Sequence, residues 1–203
     1  MYDESMAVKV SKQNVYAFID SQNLNISIQK MGWKIDWRKF RKFLAVKYNV
    51  SKAYLFIGYM VENENLYEYM HDLGYLVVLK PTVDIKLNTE EAVDSNLENV
   101  LSVVDTPDQK STIKGNIDAD LVLYAMKEFN NYDQAVIVSG DGDFYGLIEY
   151  LMNQNKLKAL MAPNWMYSSL LKPFEKFIVR LDLERKSLAY KDNLRRHFKR
   201  SSK

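Results

Sequence analysis

The chain has no cysteine, and only two of its 203 residues are histidines, His71 and His197, far apart in sequence. The first absence excludes disulfides, thiolate metal sites and cysteine nucleophiles, and it fits a reducing cytoplasm. The second leaves almost no material for a histidine-built zinc centre or a serine–histidine hydrolase. Oxygen ligands remain. No apolar run approaches the ~20 residues needed to cross a bilayer, and Met6 to Val10 is broken by Lys9 before it can form a signal-peptide core. A soluble, cytoplasmic protein with no membrane partner is expected. Without secretion, the glycosylation tripeptides at Asn25 and Asn49 carry no meaning.

What is present bounds the fold. With 47% hydrophobic and 13% aromatic residues, the chain can bury one sizeable core, which suits a single domain. The net charge of +2 is uneven, because Glu184 to Lys203 holds eight Lys or Arg against two acids. That leaves a tail of +6 behind a body of −4. Its run Arg195, Arg196, His197, Phe198, Lys199, Arg200 lies on a stretch with helical spacing from Leu183 through Leu188 to Leu194 and Phe198. Such a run suits a nucleic-acid backbone, and it suits equally a solubilising, partly frayed terminal helix.

Apolar periodicity gives strands and helices in alternation. Strands are expected at 15–20, 52–59, 75–79, 135–139, 157–161 and 177–181, and helices at 24–31, 36–48, 63–73, 117–130, 143–155 and 166–174. Asp36 reads as a helix cap, and Trp33 and Trp37 as packing residues. This βαβ rhythm predicts an α/β fold with a mostly parallel sheet covered by helices on both faces. One stretch interrupts it: about 82–113 carries seven acids against Lys86 and Lys110, and reads as an insertion over the working edge.

Three acidic clusters stand out: Asp20, the pair Asp118 and Asp120, and the pair Asp141 and Asp143. Asp20 follows the run Val15 to Ile19, and Asp141 follows Ala135 to Gly140, so both lie just past buried strands of parallel type. In open α/β sheets that carboxyl edge is where ligands bind. Each acid also has a bland reading. A lone Asp after a strand is more often a helix cap or turn former, and Asp143 ahead of Phe144, Leu147, Ile148 and Leu151 is a natural N-cap. Asp118 and Asp120 open a helix whose dipole favours acids, and residues two apart share no face. At most one should reach the crevice, and Asp118 is the choice. Lys114-Gly115 just ahead suits a phosphate-binding or neutralising role, or simple solvation. Together, Asp20, Asp118 and Asp141 could bind Mg2+ or Mn2+, which keeps several waters and needs few carboxylates. Such an ion serves phosphodiester cleavage without a histidine base.

The segments Asp20-Ser21-Gln22-Asn23-Leu24, Lys114-Gly115-Asn116-Ile117-Asp118-Ala119-Asp120-Leu121 and Ser139-Gly140-Asp141-Gly142-Asp143-Phe144 occur in this order, and together resemble the NYN domain, a branch of the PIN-like nucleases. The resemblance covers about 14–182, leaving 1–13 as an N-terminal extension and 183–203 as a basic C-terminal helix or tail. It implies a Rossmann-like, three-layer α/β/α fold and a Mg2+- or Mn2+-dependent endoribonuclease acting on single-stranded or structured RNA. Carried over by position, Asp20, Asp118, Asp141 and Asp143 look like the metal-holding acids. Asn23 looks like the polar residue that positions water or phosphate, and Ser139 like a hydroxyl within reach of the site. Many relatives carry another acid one helical turn beyond the second motif, where this chain has Tyr124.

Two other function classes remain open. One is a catalytically weak RNA-binding or regulatory module of the same fold, binding through its tail. The other, weaker one is a small-molecule phosphatase, which lacks an aspartyl-nucleophile sequence because Gln22 stands two residues after Asp20. Asn164, Trp165 and Tyr167 are placed near the same edge, where rings could stack on unpaired bases or simply cover the core. Homodimerisation is left open.

Overall fold

The computed structural model describes residues 13–59, 63–81, 83–84, 112–113 and 117–191. Its frame is a six-stranded parallel sheet: β1 (Val15–Asp20), β2 (Val50–Tyr59), β3 (Leu76–Pro81), β6 (Gln134–Val138), β7 (Leu157–Ala162) and β8 (Ile178–Arg180), in the order β3-β2-β1-β6-β7-β8. Two short strands, β4 (Val83–Asp84) and β5 (Thr112–Ile113), pair antiparallel as a separate ladder. Most of the acidic insertion expected at about 82–113 lies outside the described residues.

β1 shows why the fold has three layers. Every residue in it is buried, and alternate side chains point to opposite faces of a strand. Val15, Ala17 and Ile19 join one apolar cluster, while Tyr16 and Phe18 join the other. β6 divides in the same way, with Val136 and Val138 on the first face and Ala135 and Ile137 on the second. The first face is covered by α1 (Ser21–Lys30), α2 (Trp37–Tyr48), α3 (Glu64–Asp72) and the short α6 (Arg185–Leu188), through Leu24, Ile28, Phe40, Leu44, Met70 and Leu188. The second is covered by α4 (Ile117–Lys127), α5 (Tyr145–Asn153) and a 3-10 helix at Ser169–Phe177. The chain is therefore a Rossmann-like α/β/α sandwich, the PIN-like architecture that the motifs imply. Asp36 caps α2 by accepting from the Lys39 N–H, and Trp33 and Trp37 pack into the first layer.

Several boundaries differ from the sequence expectation. α1 begins at Ser21, three residues before the expected 24, because Asp20 caps it directly at the strand end. Asp143 is not the N-cap of the helix expected at 143–155. Asp141 instead caps a 3-10 turn, Gly142–Phe144, and α5 starts at Tyr145 with no side-chain cap. The helix expected at 166–174 is a loop followed by the 3-10 helix, which contains Pro173 and is kinked at Phe174. Proline has no N–H for the helical ladder and clashes with the preceding turn.

The helical stripe from Leu183 also ends early. α6 stops at Leu188, and Ala189 is extended and bridges antiparallel to Ile35. Leu188 is buried, Leu183 is exposed, and the Tyr190 N–H donates to Lys34 O at 2.8 Å. The chain after 182 thus continues into the core before the described residues end. Among those residues, no helix is long and apolar enough to cross a membrane.

Candidate active site

β1 leads on to β2 and β3 on one side, while β6 leads on to β7 and β8 on the other. The strand order reverses between β1 and β6, and in doubly wound sheets the crevice at such a switch point takes the ligand. Asp20 ends β1 and Asp141 lies three residues past β6, so both flank this crevice.

The local hydrogen bonds explain why these side chains are fixed. Asp20 is only 5% exposed. Its Oδ1 accepts from the Asn23 N–H at 3.0 Å, and its Oδ2 accepts from Ser139 Oγ at 3.1 Å. Ser139 Oγ in turn accepts from the Asp141 N–H at 3.2 Å. Asn23 Oδ1 accepts from the Gly140 N–H at 2.9 Å, which directs its amide NH2 away from that contact. Five residues from the first and third motifs are thus linked in one network across the switch point. Asp141 Oδ1 accepts from the Asp143 N–H at 3.1 Å, holding the turn that carries Asp143 to the surface. That turn needs glycine for space: a Cβ on Gly142 would collide with the Ser168 hydroxyl, and one on Gly140 would lie 3.2 Å from Pro163.

Electrostatics separates these acids from ordinary caps. Burial pushes the Asp20 carboxyl above its usual range, against the Asn23 and Ser139 hydrogen bonds, and the Asp141 charge adds to the rise. Asp118, in the first turn of α4 and half-buried, is also raised. Burial is its main cause, and the charges of Asp20, Asp141 and Asp143 follow, opposed by Lys80. The three motifs therefore meet in one negative field. Asp120 leaves the cluster and pairs with Lys80, Nζ to Oδ2 at 3.1 Å. Lys80 had no sequence signal. It is an ordinary strand lysine in β3 that topology carries to the carboxyl edge.

Tyr124 fills its position with packing. Its ring meets Phe56 edge-on at 5.6 Å and Tyr54 at 5.7 Å, and Lys127 Nζ lies 4.8 Å from its centroid. Of the other expected site residues, Lys114, Arg195, Arg196, Lys199 and Arg200 lie outside the described residues.

The family profile of the NYN domain matches residues 14–182. The chain belongs to the NYN domain family. Low amplitude and bright protein LabA of Synechococcus elongatus is 28% identical over 138 residues, covering 66% of this chain and 65% of that relative, so the match spans less than two thirds of its length. A crystal structure of a protein of unknown function from Vibrio parahaemolyticus superposes with a TM-score of 0.60 at 19% identity, over 88% of this chain and 97% of the other. That likeness shows the fold. Within this NYN domain, no three acids or histidines among the described residues stand close enough to enclose a metal ion by themselves. The donor set nevertheless fits a hard cation. It is all oxygen, it joins carboxylates that repel one another, and magnesium commonly uses one or two carboxylates while keeping its waters.

Proposed function

We propose that the chain is a metal-dependent ribonuclease hydrolysing RNA phosphodiester bonds at the β1–β6 crevice. The observation that carries this reading is the hydrogen-bonded network that joins Asp20 and Asn23 to Ser139, Gly140 and Asp141 across the switch point, with the Asp118 carboxyl of a third, sequence-distant segment converging on the same negative field. A structural role gives no reason for such convergence, because each charge raises the cost of the next. One or two of the carboxylates of Asp20, Asp118, Asp141 and Asp143 would hold Mg2+ or Mn2+ directly, with water completing its shell and the remaining acids facing it. The chemistry such an ion supplies when bound is Lewis acidity and charge neutralisation at the phosphate.

The protein's own groups divide the remaining work. Ser139 orients Asp20 by donating to Oδ2, and the Asp20 cap of α1 holds Asn23 in place. With Asn23 Oδ1 occupied by the Gly140 N–H, its NH2 is the group that donates to a phosphate oxygen or a water. The Gly140–Gly142 turn lets the backbone approach the 163–168 loop closely, keeping Asp141 and Asp143 at the crevice mouth. NYN membership supports a nuclease-type reading at the level of the family.

One observation favours a second reading, a catalytically weak RNA-binding module. Tyr124 stands where the family resemblance leads one to expect an acid, and it is committed to aromatic packing. A single experiment separates the two: cleavage of labelled single-stranded and hairpin RNA with Mg2+, Mn2+ or EDTA, beside Asp141→Asn from the same preparation. Metal-dependent cleavage that vanishes in the variant is expected. A folded wild type that cleaves nothing under any of these conditions would leave the binding module as the reading to pursue.

A further inference from the structure

The loop that follows β7 at the carboxyl edge of the sheet carries an exposed aromatic ring that the proposed chemistry does not use. Trp165 is 53% exposed, whereas Trp33 is buried and Trp37 is packed edge-on against Phe40 and Tyr75. Burying an indole recovers a large apolar area, so a half-bare one on an ordered segment needs a reason. The segment is well anchored. Asn164 is buried, its Nδ2 donates to Ser27 O at 3.2 Å, and its Oδ1 accepts from the Met166 N–H at 2.7 Å. The Ser168 N–H donates to Gly140 O at 2.9 Å, tying the far end of the loop to the glycine turn that carries Asp141.

The ring is also backed by a cation. Arg180, at the end of β8 in register with Ala162 of β7, places its guanidinium carbon 5.7 Å from the Trp165 centroid. Arg180 is fixed by Asp182, Nε to Oδ1 at 3.1 Å and Nη2 to Oδ2 at 2.6 Å. The carboxyl edge of the sheet thus carries carboxylates at β1 and β6, and a supported aromatic ring at β7 and β8.

We propose that Trp165, backed by Arg180, is a stacking platform for one base of single-stranded RNA whose phosphate lies at the acidic crevice; this rests on the ribonuclease reading. The indole offers a flat π surface without base-specific hydrogen bonds, which suits sequence-tolerant stacking. A base inside a duplex already has both faces covered by its neighbours, so the platform selects unpaired strands. Because the loop is held at both Asn164 and Ser168, little ordering remains to be paid on binding.

The test uses the full chain with Ca2+ in place of Mg2+ or Mn2+, so that the phosphate meets a neutralised crevice, and a gel run beside it verifies that the RNA stays intact. Affinity is measured by anisotropy with a labelled oligouridine and with a labelled RNA duplex of the same length, and tryptophan emission is followed in parallel. Wild type should bind oligouridine with quenching. Trp165→Ala should lose the quench and about tenfold or more in oligouridine affinity, with duplex affinity unchanged, while Trp165→Phe should retain most of the affinity. Unchanged oligouridine affinity in Trp165→Ala, an equal loss on the duplex, or a wild type that shows no quench would each overturn the proposal. Loss of the ribonuclease reading looks different: a wild type that never cleaves yet keeps a Trp165-dependent quench retains the platform on a non-catalytic module.

Discussion

At the amino ends of the strands, charged side chains close off the backbone, whereas at the carboxyl ends they face one another. Arg41 donates to Gly74 O at 3.0 Å, Val50 O at 3.4 Å and Ser51 O at 3.2 Å, tying the starts of β2 and β3 together. Lys156 Nζ donates to Phe129 O and Tyr132 O just ahead of β6, and the Asp133 carboxylate accepts from the Asn14 N–H at 2.7 Å before β1. Each of these contacts lowers the free energy of the folded chain. At the opposite edge, Asp20 and Asp118 are both pushed above the usual carboxylate range by burial and by neighbouring acids. Their charged forms are tolerated rather than stabilised. Placing costly charge on one edge of a sheet whose other edge is well satisfied is the pattern expected where function opposes stability.

The largest expected break in this contrast is Asp20→Asn. Asparagine caps helices about as well as aspartate, so α1 keeps its start and Ser139 keeps a partner. RNA cleavage should fall about a hundredfold, since loss of even the groups behind metal ligands typically costs about 10–100-fold. The thermal midpoint at neutral pH should stay level or rise. A variant that cleaves like wild type would return Asp20 to the role of a simple cap. Arg41→Ala is the mirror experiment at the amino edge. It removes a donor from three carbonyls, of which only Val50 O is partly buried, so the cost is about 0.5–1.5 kcal/mol and the midpoint falls by a few degrees. Cleavage per folded molecule should not change. A loss of activity there without a loss of stability would mean that the two edges are coupled.

The contrast also shows what the sequence could and could not reveal. The parallel strands were legible because residues such as Val15 to Ile19 and Val136 to Val138 are apolar on both faces, as only a sheet covered on both sides requires. The convergence of Asp20, Asp118 and Asp141 was legible because strand ends and a helix start put them on one edge. The division of labour between Asp141 and Asp143 was not. Both precede the same apolar stripe, and the hydrogen bond from the Asp143 N–H to Asp141 depends on a 3-10 turn that local propensity does not specify. Lys80 and Arg41 were invisible for a different reason, since their partners come from remote elements and only the crossovers bring them together. At Ala189 the helical spacing gives way, because the pairing of Ala189 with Ile35 overrides periodicity there.

The smallest expected effect gives the finest test of the difference between the edges. The carboxyl of Asp118 has a folded pKa above its unfolded value of 3.8. Between those two values the folded state binds more protons than the unfolded one, so this group's contribution to stability declines as pH rises through the window. Above the window the charge is carried at full cost. Asp118→Asn, which carries no charge, should therefore melt slightly higher than wild type at pH 7 without metal. The gap should narrow as pH falls through the raised value and close below 3.8, where both proteins are neutral at this position. A competing term runs the other way: a charged acid in the first turn of α4 gains about 0.3–1 kcal/mol from the helix dipole. A variant that melts lower than wild type at pH 7 would mean that this term wins, and Asp118 would then belong with the stabilising charges of the amino edge. With Mg2+ added the order should invert, because wild type gains the stability of a bound cation that the variant holds less well.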